Sequence, residues 1–343
     1  MKTKEKIVLS LTIIIFLSCV IIGCKKKENN YWPQGLSGKF VFSTLDNYTW
    51  DAAVYFIDEN GIKKVFTDFW EINVNWSQDG SKALINTYNR TSFIIMNADG
   101  KVSKQIEGHD PVFSSDGTKI AFIYNMIGGP WDSVRTINVD GSSLLFLNII
   151  PGSLSHLVEW SPDGTSIAFY KLTGDLEPDS IGIVNTNSSI LLTKGYNPRW
   201  SPDGLKLYYL IGNELNQASA IESITISDHS VQKLADLPEN IHLLSKWSLD
   251  KSKIAFESIS SIIPSIPTLY VMKMDGSGST KLYDIDSLSW DFPCWSLDGS
   301  KIAVRNKKGI TVINADGSNA INLPIAQYID LNVNENIYSF DWH

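Results

Sequence analysis

Cysteine is nearly absent from this chain. Of 343 residues only three are Cys, and two of them, Cys19 and Cys24, lie in an apolar N-terminal segment. Cys294 is left alone in the body, so no disulfide framework can form within one chain. Basic clusters are also missing beyond Lys25, Lys26 and Lys27. Phosphate binding needs clustered Lys and Arg, which argues against a nucleic-acid partner. The longest apolar run, Ile7 to Ile22, has 16 residues. A helix needs about 20 to span a bilayer. Catalytic signatures are lacking as well: there is no G-x-S-x-G elbow, no G-x-x-x-x-G-K phosphate loop and no H-E-x-x-H. One residue type is abundant instead. Eleven Trp are present, and something uses them systematically.

The first residues read as a targeting segment. Lys2, Lys4 and Lys6 precede the apolar run, which ends "IIGC" and changes abruptly to "KKKENN". This pattern resembles a bacterial lipoprotein signal, with an uncleaved anchor as the other reading. The resemblance implies removal of residues 1–23 and lipidation of Cys24. It implies a protein of the bacterial cell envelope, periplasmic or at the cell surface, held to its membrane through acyl chains. Residues 24–36 are then a tether, and 37–343 one domain. Without residues 1–23 the chain has 26 basic and 36 acidic residues, a net charge of −10.

One stretch recurs along the domain: "WSQDGSKALI" from Trp76, "FSSDGTKIAF" from Phe113, "WSPDGTSIAF" from Trp160, "WSPDGLKLYY" from Trp200, "WSLDKSKIAF" from Trp247 and "WSLDGSKIAV" from Trp295. In each copy the aromatic ends a strand. Asp and Gly make a tight turn, Asp by bonding nearby amides and Gly by taking positive φ. The following residues start a second strand. A third ends in another Asp-Gly turn, and a short fourth closes the unit. Four antiparallel strands in about 44 residues is a propeller blade. The motif aromatics are expected to pack between blades. The carboxylates Asp79, Asp116, Asp163, Asp203, Asp250 and Asp298 are expected to serve their turns rather than chemistry.

The motif resembles the TolB-type, or WSPDG, β-propeller repeat over about residues 37–343. That family includes periplasmic scaffolds, the propeller domains of prolyl-peptidase-like enzymes and some polysaccharide lyases. The α/β domain of TolB itself is not expected, because about 12 residues separate Cys24 from the first strand. Six full copies suggest six blades, but the ends supply a seventh. "SGKFVFSTL" from Ser37 matches the back of the motif, and "NIYSFDW" supplies its front, ending in Trp342. A seven-bladed, all-β propeller is predicted. Its ring is closed by an inner strand from 337–342 against strands from 39–66. His343 carries no expected role.

Two sets of candidate residues remain. Trp50, Trp70, Trp131 and Trp290 all map to the face formed by the fourth-to-first and second-to-third loops, where exposed aromatics bind partners. Packing under their own loops is the other reading. His109 and His156 stand four residues before their motif aromatic, as do Tyr196 and Asp291; His242 stands five before. These side chains converge on the channel mouth or simply line it. In lyases that resemble this repeat, central histidines hold a divalent metal, which implies a site at His109, His156 and His242. The leading expectation is a monomeric, non-catalytic binding or scaffold propeller for an envelope protein, peptide or glycan, with no cofactor. The alternative is a metal-dependent polysaccharide lyase-like enzyme.

Overall fold

The computed structural model describes residues 33, 36, 38–46, 51–69, 73–87, 91–125, 131–151, 155–172, 179–212, 217–259, 267–275, 277–286, 293–306, 309–323, 325 and 335–343. It is a seven-bladed β-propeller of four-stranded antiparallel blades, with no α-helix among the described residues. Blade 1 joins β27 (Glu335–Trp342) to β1 (Phe40–Asp46), β2 (Asp51–Asp58) and β3 (Gly61–Phe69). Blade 2 holds β4 (Asn73–Trp76), β5 (Lys82–Asn86), β6 (Ser92–Asn97) and β7 (Val102–Glu107). Blade 3 holds β8 (His109–Phe113), β9 (Lys119–Asn125), β10 (Trp131–Asn138) and β11 (Leu145–Pro151). Blade 4 holds β12 (Ser155–Trp160), β13 (Ser166–Lys171), β14 (Ser180–Asn185) and β15 (Ser189–Lys194). Blade 5 runs through β16 (Tyr196–Trp200), β17 (Lys206–Gly212) and β18 (Gln217–Thr225) to β19 (Val231–Trp247). That long strand is continuous across two blades. Its first part is the outer strand of blade 5, and its end is the inner strand of blade 6. Blade 6 continues with β20 (Lys253–Ile259), β21 (Pro267–Lys273) and β22 (Thr280–Asp284). Blade 7 holds β23 (Cys294–Trp295), β24 (Lys301–Asn306), β25 (Gly309–Asn314) and β26 (Ile321–Leu323).

The recurring Ser-x-Asp-Gly segments form the expected turns between inner and second strands. In blade 2 the Ser77 hydroxyl donates to Asp79 at 2.6 Å, and the Ser81 amide donates to the same oxygen at 3.0 Å. Gly80, at φ 65°, donates its amide to the Ser77 carbonyl. The motif serine donates likewise to Asp116, Asp163, Asp203, Asp250 and Asp298. These donors stabilise the carboxylate form. The serine hydroxyl and the turn amide hold Asp79 and Asp116 at a pKa of about 2. A carboxylate depressed on folding adds stability above its ordinary value, and that stability disappears as pH falls through the folded value. The melting temperature should therefore drop between about pH 4 and about pH 2. A flat profile over that window would show that the turn carboxylates contribute nothing.

The core is divided among the blade junctions. Each cluster of buried apolar residues joins two neighbouring blades. Each motif aromatic packs onto the blade before it. Trp76 meets Val41, Val54 and Phe56 of blade 1, and Trp160 meets Ala121, Ile123 and Val134 of blade 3. Trp160 Nε1 donates to the Val112 carbonyl, and Trp295 Nε1 to that of Lys246, each on the preceding inner strand. A Trp buries about 150–250 Å², worth on the order of 4–6 kcal/mol as an upper bound.

The ring closes as the split motif predicts. β27 pairs antiparallel with β1, Phe40 opposite Trp342, and the two rings stack at 4.9 Å. Trp342 lies in the cluster that joins blades 7 and 1, together with Leu36. His343 takes more part than expected. Its main chain bonds Lys39 in both directions, and its ring Nε2 donates to the Gln78 carbonyl in the turn of blade 2.

Candidate functional site

Inner strands line the axial channel, and they start on the face opposite the motif turns. Two of them start with a shared Gly-x-Asp/Asn-Pro pattern, "GHDP" from Gly108 and "GYNP" from Gly195. The backbone explains the pattern. Gly108 and Gly195 take φ 136° and 155°, and Asp110 and Asn197 both take φ 50°. Glycine accepts such angles freely, and Asp and Asn tolerate the left-handed region better than most residues. The pairing of β8 with β9 slips between His109 and Val112, and that of β16 with β17 between Tyr196 and Arg199. These are bulges, which re-aim side chains.

In blade 3 the bulge makes Asp110 a hub. Its carboxylate accepts from His156 Nδ1 of blade 4 at 2.8 Å and from Asn86 Nδ2 of blade 2 at 3.3 Å. His109 Nδ1 lies 3.4 Å from the same carboxylate, too poorly placed for a hydrogen bond. Four groups from three blades thus converge where the channel opens. His109 is only 4% exposed, and neither ring nitrogen has a hydrogen-bond partner among the described residues. The His156 ring stacks on Tyr170 at 4.8 Å. A His that gives its Nδ1 proton to a carboxylate has its tautomer fixed, with Nε2 as the basic nitrogen. Such a pair can orient a base, and the buried His109 adds a second imidazole.

The other expected residues fare differently. Tyr196 packs over Gly212 and against the core between blades 5 and 6. Burial, with the Asp179 carboxylate, raises its phenol pKa and keeps it neutral. His242 lies in β19 opposite Gln217, and its side chain lies outside the described residues. Trp131 opens β10 opposite Pro151, again with only its backbone described. Trp50, Trp70, Trp290 and Asp291 lie outside the described residues. No group of three or more His, Cys, Asp or Glu side chains is placed to hold a metal among the described residues. Spacing from the motif aromatic found the two histidines but missed Asp110. The repeated Gly-x-Asp/Asn-Pro was the signal for it.

Neither a protein-family model nor a curated protein matches the sequence. Solved structures do match in fold. TolB from Acinetobacter baumannii is similar over 89% of this chain at 16% identity, TM-score 0.50, and this chain spans 66% of its length. Oligogalacturonate lyase from Vibrio parahaemolyticus is similar over 79% of this chain and 90% of its own at 14% identity, TM-score 0.60. An oligogalacturonate lyase in complex with manganese gives the same coverage and score at 15% identity. At these identities the likeness is one of fold, a TolB-like propeller.

Proposed function

We propose that this chain is a lipid-anchored protein of the bacterial envelope, attached through Cys24, whose propeller binds a protein, peptide or glycan without catalysis. One observation carries the reading. The six repeated carboxylates are consumed by turns, and the motif aromatics by blade junctions. Recognition is left to loops on a rigid ring, the usual division of labour in such scaffolds. The N-terminal signal pattern supports the anchor, and the loop Trp residues support the binding face. The test is cross-linking in the intact envelope followed by mass spectrometry. Changing Trp50, Trp70, Trp131 and Trp290 together to Ala should remove the partner seen with the wild type, with the melting temperature nearly unchanged. Unchanged capture would overturn this face.

The converging His109, Asp110 and His156 favour a second reading, a metal-dependent polysaccharide lyase-like enzyme. Its metal would be held by His109 and His156 and would polarise a substrate oxygen. The described donors do not by themselves make a metal-holding group. This reading therefore needs His242 or another ligand outside the described residues. Metal analysis of purified protein decides it: a stoichiometric divalent ion, lost on His109→Ala and His156→Ala, is required.

A further inference from the structure

The motif-turn mouth, at the other end of the channel, carries an unabsorbed charge cluster. Three residues that stand just before a motif aromatic, Glu159, Cys294 and Asp341, bond to the next blade. Two of these are carboxylates, and each accepts the amide of the next motif Trp: Asp341 from Trp76 at 2.8 Å and Glu159 from Trp200 at 2.9 Å. The second oxygen of Asp341 accepts the Cys294 thiol at 3.0 Å. The second oxygen of Glu159 takes the Lys251 ammonium at 2.6 Å.

Lys251 comes from blade 6 and reaches Glu159 in blade 4. It stands at φ 58° in the motif turn, where the other full copies have Gly80, Gly117, Gly164, Gly204 and Gly299. A lysine at a glycine position is strained, and strain kept in place points to function. The side chain is only 13% exposed, lying across the mouth instead of extending into solvent. Arg199 and Lys246, the residues just before Trp200 and Trp247, add two more cations: the charge of Arg199 acts on Glu159 and Lys251, and that of Lys246 on Lys251. Among the described residues the Arg199 guanidinium donates only to the Pro198 carbonyl, and the Lys246 ammonium makes no hydrogen bond or ion pair. Burial lowers the pKa of both Arg199 and Lys251, with Glu159 opposing the shift. One carboxylate therefore answers directly to Lys251, with two further cations close enough to feel the pair and with donors to spare.

We propose that this mouth is a binding site for an oxyanion, a carboxylate or phosphate group, held by Lys251, Lys246 and Arg199. Partly buried cations between low-dielectric walls attract anions strongly, and the planar arginine fork suits either group. Glu159 already occupies Lys251 as an internal carboxylate, so a ligand must compete with it.

The test is calorimetric titration of the full-length chain in detergent with inorganic phosphate and, separately, citrate, at ionic strength held constant with sodium chloride. At least one probe should bind, and the tighter one identifies the group. Lys251→Gly should weaken binding tenfold or more without lowering the melting temperature, because glycine suits that turn. Glu159→Gln should tighten binding several-fold by removing the competitor while keeping an acceptor for the Trp200 amide. The proposal is overturned if neither probe binds, if Lys251→Gly binds as the wild type does, or if Glu159→Gln binds no tighter. Should Glu159→Gln fail to fold, the Lys251→Gly comparison decides alone.

Discussion

Removing residues 337–343 is expected to abolish the cooperative unfolding of the whole ring. This short segment does four things at once. Its backbone pairs with β1 through the Phe40–Trp342 end of the register. Trp342 fills the junction between blades 7 and 1. The Asp341 carboxylate bonds the Trp76 amide of blade 2 and the Cys294 thiol of blade 7. His343 bonds Lys39 and the Gln78 carbonyl. Without it, β1 becomes a raw edge and the junction loses its inner half. A closed ring distributes stability over every junction, so opening one exposes apolar surface on both flanking blades. The single change Trp342→Ala should already cost about 3–5 kcal/mol. Denaturant unfolding of both variants checks this. A truncated chain that melts like the full one would refute the closure.

Gly108→Ala should destabilise the protein by about 2–5 kcal/mol, combining backbone strain with overpacking. At φ 136° an added Cβ would run into the Phe122 ring and the Ile123 carbonyl. Neither yields easily: Phe122 is buried in the junction of blades 2 and 3, and Ile123 is part of the β9 ladder. The bulge would have to unwind, taking Asp110 away from His156. Gly117→Ala is the control. It also has positive φ, 70°, but nothing lies within 4 Å of the new Cβ. It should cost about 1–2 kcal/mol, the conformational penalty alone. Comparing denaturation midpoints tests the difference. Equal losses would mean that the close packing around Gly108 is not what limits it.

Much of the fold was legible because each blade states its own turn chemistry. The Asp-Gly turns, the alternating strands and the motif aromatic are local signals repeated every 37 to 48 residues. Even the closure could be read, since half a motif at each end has only one way to be completed. The candidate site was less legible. His109 and His156 were found by register with the motif, but Asp110, which unites them, was not. Its role depends on a left-handed backbone and on partners in two other blades. His343 was also underestimated, because its contact with Gln78 joins residues 265 positions apart. Tyr196, grouped by register with the histidines, turned into a neighbouring core instead.

The sequence by itself therefore determined the blade, the blade number and the closure, because hydrogen-bonded turns and period-two strands are short-range physics written into each repeat. Only the tertiary structure decided what meets inside the channel. Ring geometry brings together residues of different blades: Asp110 and His156 at one mouth, and Glu159 and Lys251 at the other. No local pattern encodes which side chains face each other across a ring. That is settled when seven blades pack and the bulges and turns aim their side chains.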